Sequence, residues 1–158
     1  MGLSLKMEEM VQFLEAAKSP GENFTCMLWG TVYADMSSFQ GHSVASQLMA
    51  GFGGAGVSGS LDNAFCYIGL TEQNMYVIAL DSYNTSSIIG TFALTFANMT
   101  SLNMRKGFGG SYTVTVGYGG NIDLTVKGVS IGTNIKDQKE RLAGFVAAIE
   151  ALQGRFLR

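Results

Sequence analysis

At 158 residues the chain is long enough for one domain with a real core, so it needs neither a metal nor a disulfide to fold. Only 14% of its residues are charged and its net charge is -2, against roughly 25% charged residues in an ordinary soluble domain. That balance excludes a nucleic-acid module, which needs a basic stripe, and favours a surface covered by a partner, a second copy of the chain included.

The first element expected is a helix over residues 4–18. Leu3, Met7, Met10, Leu14 and Ala17 recur at helical spacing, Ser4 stands where a cap belongs, and Pro20-Gly21 stops the run. The helix is too short to be stable alone, so it must pack on its own domain or on a neighbouring subunit. Acidic residues interrupt this segment, which does not read as a signal peptide. No apolar run reaches the roughly 18 residues of a membrane span. A cytoplasmic protein is expected.

From residue 24 the pattern changes to strands. "FTCMLWGTVYA" (24–34) is aromatic and β-branched, the composition of a strand buried on both faces or nearly so. "NAFCYIGL" (63–70) and "NMYVIAL" (74–80) flank the turn at Thr71–Asn74 and form a hairpin. "IIGTFALTF" (88–96) adds a strand. "TSLNMRKG" (100–107), "SYTVTVG" (111–117) and "IDLTVK" (122–127) are separated by the glycine turns "GFGG" and "YGGN", and predict a three-stranded meander. In the middle strand Tyr112, Val114 and Val116 alternate with Ser111, Thr113 and Thr115. The chain closes on a helix. Asp137 and Glu140 have capping-box spacing, Leu142, Phe145, Val146, Ile149 and Leu152 form the apolar face, and Gly154 reads as the stop.

Between the first two strands lies an insert, residues 35–62, containing "LMAGFGGAGVSGS" (48–60). It lacks the Lys of a phosphate-binding loop. Its uncharged side chains Leu48, Met49, Phe52 and Val57 are instead candidates for contact with a partner or a membrane. The segment 42–51 reads as a short helix or packed loop. Arg105-Lys106 beside "GFGG" is the one basic pair next to a glycine turn, and a candidate anion contact. Between Lys18 and Arg105 there is no Lys or Arg.

Nothing points to catalysis. His42 is the sole histidine, and no acid pair stands as general acid and base. Cys26 and Cys66, the only cysteines, have no metal-ligand spacing and sit in apolar runs where thiols pack as small hydrophobes. No cofactor, metal or catalytic residue is expected. Trp29, Tyr33, Tyr67 and Tyr76 suit core packing better than the lining of an apolar pocket.

Three stretches carry a resemblance to the small bacterial pleckstrin-homology-like (PH-like) domains. "YIGLTEQNMYVIAL" (67–80) is similar to their hairpin in which a strand runs into Leu-Thr, a short polar turn and a second apolar strand, "MTSLNMRKGFGGSYTVTV" (99–116) to their meander, and "IDLTVKGVSIGTNIKDQKERLAGFVAAIEAL" (122–152) to their last strand and closing helix. The resemblance implies an α+β, mainly β fold: a partly open antiparallel barrel of about seven strands, closed by a C-terminal amphipathic helix. The N-terminal helix (1–21) is then an extra element before the PH-like domain (22–158). Gln73-Asn74 replaces the family's usual basic residue in the hairpin turn. The expected function is a non-enzymatic binding or scaffold module, self-associating or bound to another protein and not to nucleic acid. A peripheral membrane or lipid-binding module, with weak membrane association, is the alternative, and a small apolar ligand carrier the second.

Overall fold

The computed structural model describes residues 5–34, 61–81, 84–118, 120–128, 133 and 135–156. In chain order these form helix α1 (Met7–Ala17), strands β1 (Cys26–Ala34), β2 (Leu61–Leu70), β3 (Asn74–Leu80), β4 (Ile88–Thr95), β5 (Ser101–Lys106), β6 (Tyr112–Gly117) and β7 (Asn121–Val126), and helix α2 (Gln138–Phe156). The strands make one antiparallel sheet in the order β4-β3-β2-β1-β7-β6-β5. The backbone N–H of Thr95, at the end of β4, donates to the Tyr118 phenol at 3.2 Å, so the sheet curls until its two halves meet. β4 and β5 remain its edges. This is the mainly β, partly open seven-stranded architecture with a closing helix and an additional N-terminal one.

Alternation along the strands gives the sheet two buried sides. Leu28, Val32, Ile68, Val77, Phe92, Val114, Val116 and Leu124 point inward and meet Leu142, Phe145, Ile149 and Leu152 of α2. On the other side, Met10 and Leu14 of α1 pack on Trp29, Tyr67, Tyr76, Ile78 and Leu80. β3 is therefore covered on both faces throughout, and β1 and β2 over most of their length, with Tyr33 and Asn63 exposed where β1 and β2 meet the insert. α1 lies on its own domain.

The two buried tyrosines on the α1 side keep their polar tips satisfied. Tyr67 accepts from the Lys6 N–H at 3.1 Å. Tyr76 accepts from the Ser19 N–H at 3.1 Å and donates to Glu22 at 2.6 Å. Glu22 also accepts from Thr71 at 3.2 Å and from the Asn74 amide. This network ties the end of α1 to the β2–β3 turn.

Helix ends differ from expectation. α1 starts at Met7, with Lys6 in the cap position and no side-chain cap; Ser4 and Leu3 lie outside the described residues. Before α2, Asp137 adopts a left-handed φ of 62°, unlike the extended N-cap of a capping box. Gly154 does not stop α2, which continues to Phe156. Glycine inside a helix costs only about 1 kcal/mol relative to alanine, and burial of Leu152 one turn earlier holds this end in place. Residues 42–51 of the insert lie outside the described part.

β1 has a backbone problem. It pairs with β2 along its length but with β7 only over Thr31–Ala34. Gly30 marks the divergence: a Cβ there would lie 2.5 Å from the Thr125 carbonyl oxygen. Beyond it, side chains of α2 take the place of a strand. The Gln138 amide, 1% exposed, donates to the carbonyls of Trp29 at 3.0 Å and Lys127 at 2.9 Å. Arg141 donates to the Met27 carbonyl at 3.1 Å and the Lys136 carbonyl at 2.8 Å. Replacing Gln138 by Leu keeps the volume and leaves one buried and one part-buried carbonyl without these donors. We expect a loss of about 2–4 kcal/mol, read from urea unfolding.

The two thiols are free. Cys26 lies opposite Leu70 and Cys66 opposite Gly30, four strand residues apart, or about 13 Å. A disulfide requires Cα atoms within about 7 Å. Burial pushes the Cys26 thiol up from 9.0 to about 11, with the Arg141 charge pulling partly back. Burial pushes the Cys66 thiol up as well, against a hydrogen bond from the Gly30 backbone. Both hold their protons more firmly in the native chain than in the unfolded one, so their contribution is complete below about pH 9 and is lost as pH rises through the native values. The urea midpoint is therefore expected to fall between about pH 9 and pH 11, and Cys26→Ala to make that fall shallower. At neutral pH a thiol reagent should label neither cysteine until the chain unfolds.

Candidate functional site

The β5–β6 turn is the most unusual surface feature. Gly107 donates its N–H to the Ser111 carbonyl at 2.7 Å, and the Ser111 hydroxyl donates to the Phe108 carbonyl at 2.9 Å. Between them Gly109 and Gly110 take φ values of 71° and 80°, which glycine adopts without steric cost. This short loop turns the Phe108 ring outward, where it is 99% exposed. Phenylalanine is among the residues most often fully buried.

Two cations adjoin that tip in sequence, and two more lie at the same end of the sheet. Arg105 and Lys106 end β5 and are exposed. Arg105 reaches back to the Thr115 hydroxyl at 3.4 Å, which itself donates to Asp123 at 2.6 Å. Lys106, Tyr112 and Val126 share one register across β5, β6 and β7, so exposed Lys127 follows two strands away, about 10 Å across the sheet. Exposed Lys139 lies beside it: a Cβ on Gly128 would be 3.5 Å from the Lys139 Cα. Residues 105–139 carry five Lys or Arg and two Asp, a net +3, while the rest of the chain carries -5. The exposed carboxylates of Asp137 and Glu140 flank this patch.

The structure thus joins Arg105 and Lys106 to cations distant in sequence. Leu48, Met49, Phe52, Val57 and His42 lie outside the described residues. Trp29, Tyr67 and Tyr76 are buried core residues, with Trp29 packed on Phe65 at a ring separation of 6.4 Å. Tyr33 is 42% exposed. Phe108, Lys127 and Lys139 carry no local signal in the sequence that marks them as part of this surface. A phenylalanine between glycines reads only as a turn neighbour until its backbone angles are known, and Lys139 gains its place from long-range packing.

The β4 edge is a second surface. It has no ladder partner on its outer side among the described residues. Residues 82–104 contain no charged side chain, and Ile88 is 41% exposed. Two open grooves flank the C-terminal half of α2. One, of about 480 Å³, is lined by Thr25, Thr71, Glu72, Phe96, Leu152 and Arg155. The other, of about 570 Å³, is bordered by Thr100, Ser101, Asn103, Glu150 and Gln153. Among the described residues no three His, Cys, Asp or Glu side chains group as metal ligands, and no helix is long and apolar enough to cross a membrane.

No protein-family model matches the chain, and no curated protein matches it. Among solved structures the chain is similar to the hSac2 domain from human phosphoinositide phosphatase Sac2, with a TM-score of 0.49 and 9% sequence identity, over 94% of this chain and 81% of that one.

Proposed function

We propose that this chain is a non-enzymatic, PH-like binding and scaffold module that associates with itself through the β4 edge. The observation that carries this reading is that, among the described residues, no strand pairs with the outer side of that edge. Edge strands present a row of unpaired N–H and C=O groups, and proteins that stay apart blunt them with charge, proline or a covering element. β4, "IIGTFALT", has neither charge nor proline. A two-fold axis beside it would pair two copies of β4 antiparallel, each supplying the same residues, and extend both sheets into one. Ile88 would become covered, and the low charge of the chain would no longer be a surface liability.

Light scattering on an eluting size-exclusion peak tests this. The wild-type chain is expected to run as a dimer at micromolar concentration. Ala93→Lys, at an exposed β4 position, should give a monomer with unchanged circular dichroism, because each copy would bring a charged side chain into the new strand pair. A wild-type chain that stays monomeric at high concentration overturns the reading.

A further inference from the structure

We infer that the β5–β6 tip is a contact for an anionic bilayer surface, with Phe108 entering the headgroup region and Arg105, Lys106, Lys127 and Lys139 lying against lipid phosphates. This goes beyond the self-association of β4 and uses the opposite edge of the sheet. Three observations carry it. The Phe108 ring is 99% exposed on a short loop closed by two hydrogen bonds, so its exposure is built in by the fold. The cations around it belong to a segment of net +3 in a chain of net -2, a local charge complementary to anionic lipid. The third is shape. Phe108 projects and offers one ring, roughly 200 Å² of apolar surface. A stable protein interface buries on the order of 1,000 Å² and needs a matching pocket, whereas a bilayer deforms around a ring and needs none.

The expected affinity is modest. Each cation near an anionic membrane surface multiplies partitioning about fivefold, and the Asp137 and Glu140 carboxylates offset part of that gain. Burial of one aromatic ring adds roughly tenfold or more. The attraction must weaken with salt, because exposed charges more than about 10 Å apart are screened near 0.1 M.

The test uses the full chain with Phe108→Trp as reporter; the native Trp29 is buried and contributes a constant signal. Vesicles of phosphatidylcholine mixed with phosphatidylglycerol should shift the new emission to the blue, and vesicles of phosphatidylcholine alone should not. Co-sedimentation of the unmodified chain with the mixed vesicles should fall about tenfold for Phe108→Asp, and several-fold for Arg105→Ser with Lys106→Ser. All these positions are exposed, and the circular dichroism should be unchanged. Equal binding of wild type and Phe108→Asp, or a blue shift with polyglutamate but none with mixed vesicles, overturns the proposal; the latter would make the partner an acidic chain. Failure of self-association is separately visible, because light scattering is done without lipid.

Discussion

The divergence of β1 from β7 is the constraint from which the rest of this structure follows. A strand inside a sheet must satisfy its backbone on both sides. β1 does so with β2 along its whole length, but β7 accompanies it only as far as Thr31. The remaining carbonyls, those of Met27 and Trp29, receive donors from Arg141 and Gln138. A helix is therefore written into the sheet as a substitute strand. The splay admits α2 to the concave face, where Phe145 and Ile149 fill the space that closure of a barrel would otherwise fill. It also fixes the first turn of α2 beside the end of β7, because Gln138 bonds the Lys127 carbonyl as well. Lys127 and Lys139 become neighbours for the same reason that β1 is satisfied.

The second consequence is an asymmetry between the two halves of the sheet. β1, β2 and β3 are sandwiched between α2 and α1, and every residue of β3 is buried. Burying both faces there demands polar solutions, which the Tyr76–Glu22 and Tyr67–Lys6 hydrogen bonds supply. Among the described residues, the meander β5–β7 is packed by α2 alone. Its outer face carries Arg105, Thr113, Thr115, Asp123 and Thr125, a row of polar groups with Thr115 bonded to Asp123. One half is thus a rigid double layer, and the other is a polar sheet ending in the aromatic tip. Local opening free energy scales with buried apolar contact, so the meander edge is expected to open before the sandwiched strands.

Much of this was legible because strand period and turn chemistry are local. The alternation of Tyr112, Val114 and Val116 needs no tertiary information, and the two glycine turns fix the meander around it. The failures share a cause. Gly154 has the propensity of a stop, but the buried Leu152 two residues earlier anchors the helix through it. Asp137 and Glu140 matched a cap by spacing, yet the backbone at Asp137 is left-handed. Gln138 resembles any polar residue at a helix start, and its role exists only once the β1–β7 register is known. The basic pair Arg105-Lys106 was visible in the sequence. That it belongs to a wider patch was not, since Lys127 and Lys139 reach it through sheet register and helix placement.

The two proposed surfaces bear on one another through the strand order. β4 and β5 are the two edges of one sheet in its hydrogen-bonded order, so pairing of two copies at β4 uses none of the residues of the β5–β6 tips. A single tip with one aromatic ring and a net +3 segment binds a surface weakly. Two tips held by one rigid sheet bind through effective concentration, and the second contact becomes intramolecular once the first is made. That gain requires both tips to face the same plane, which the curl set by the Thr95–Tyr118 hydrogen bond governs. In the proposed dimer the open edge and the exposed ring would answer a single requirement: one would build the pair, and the pair would make the weak tip sufficient.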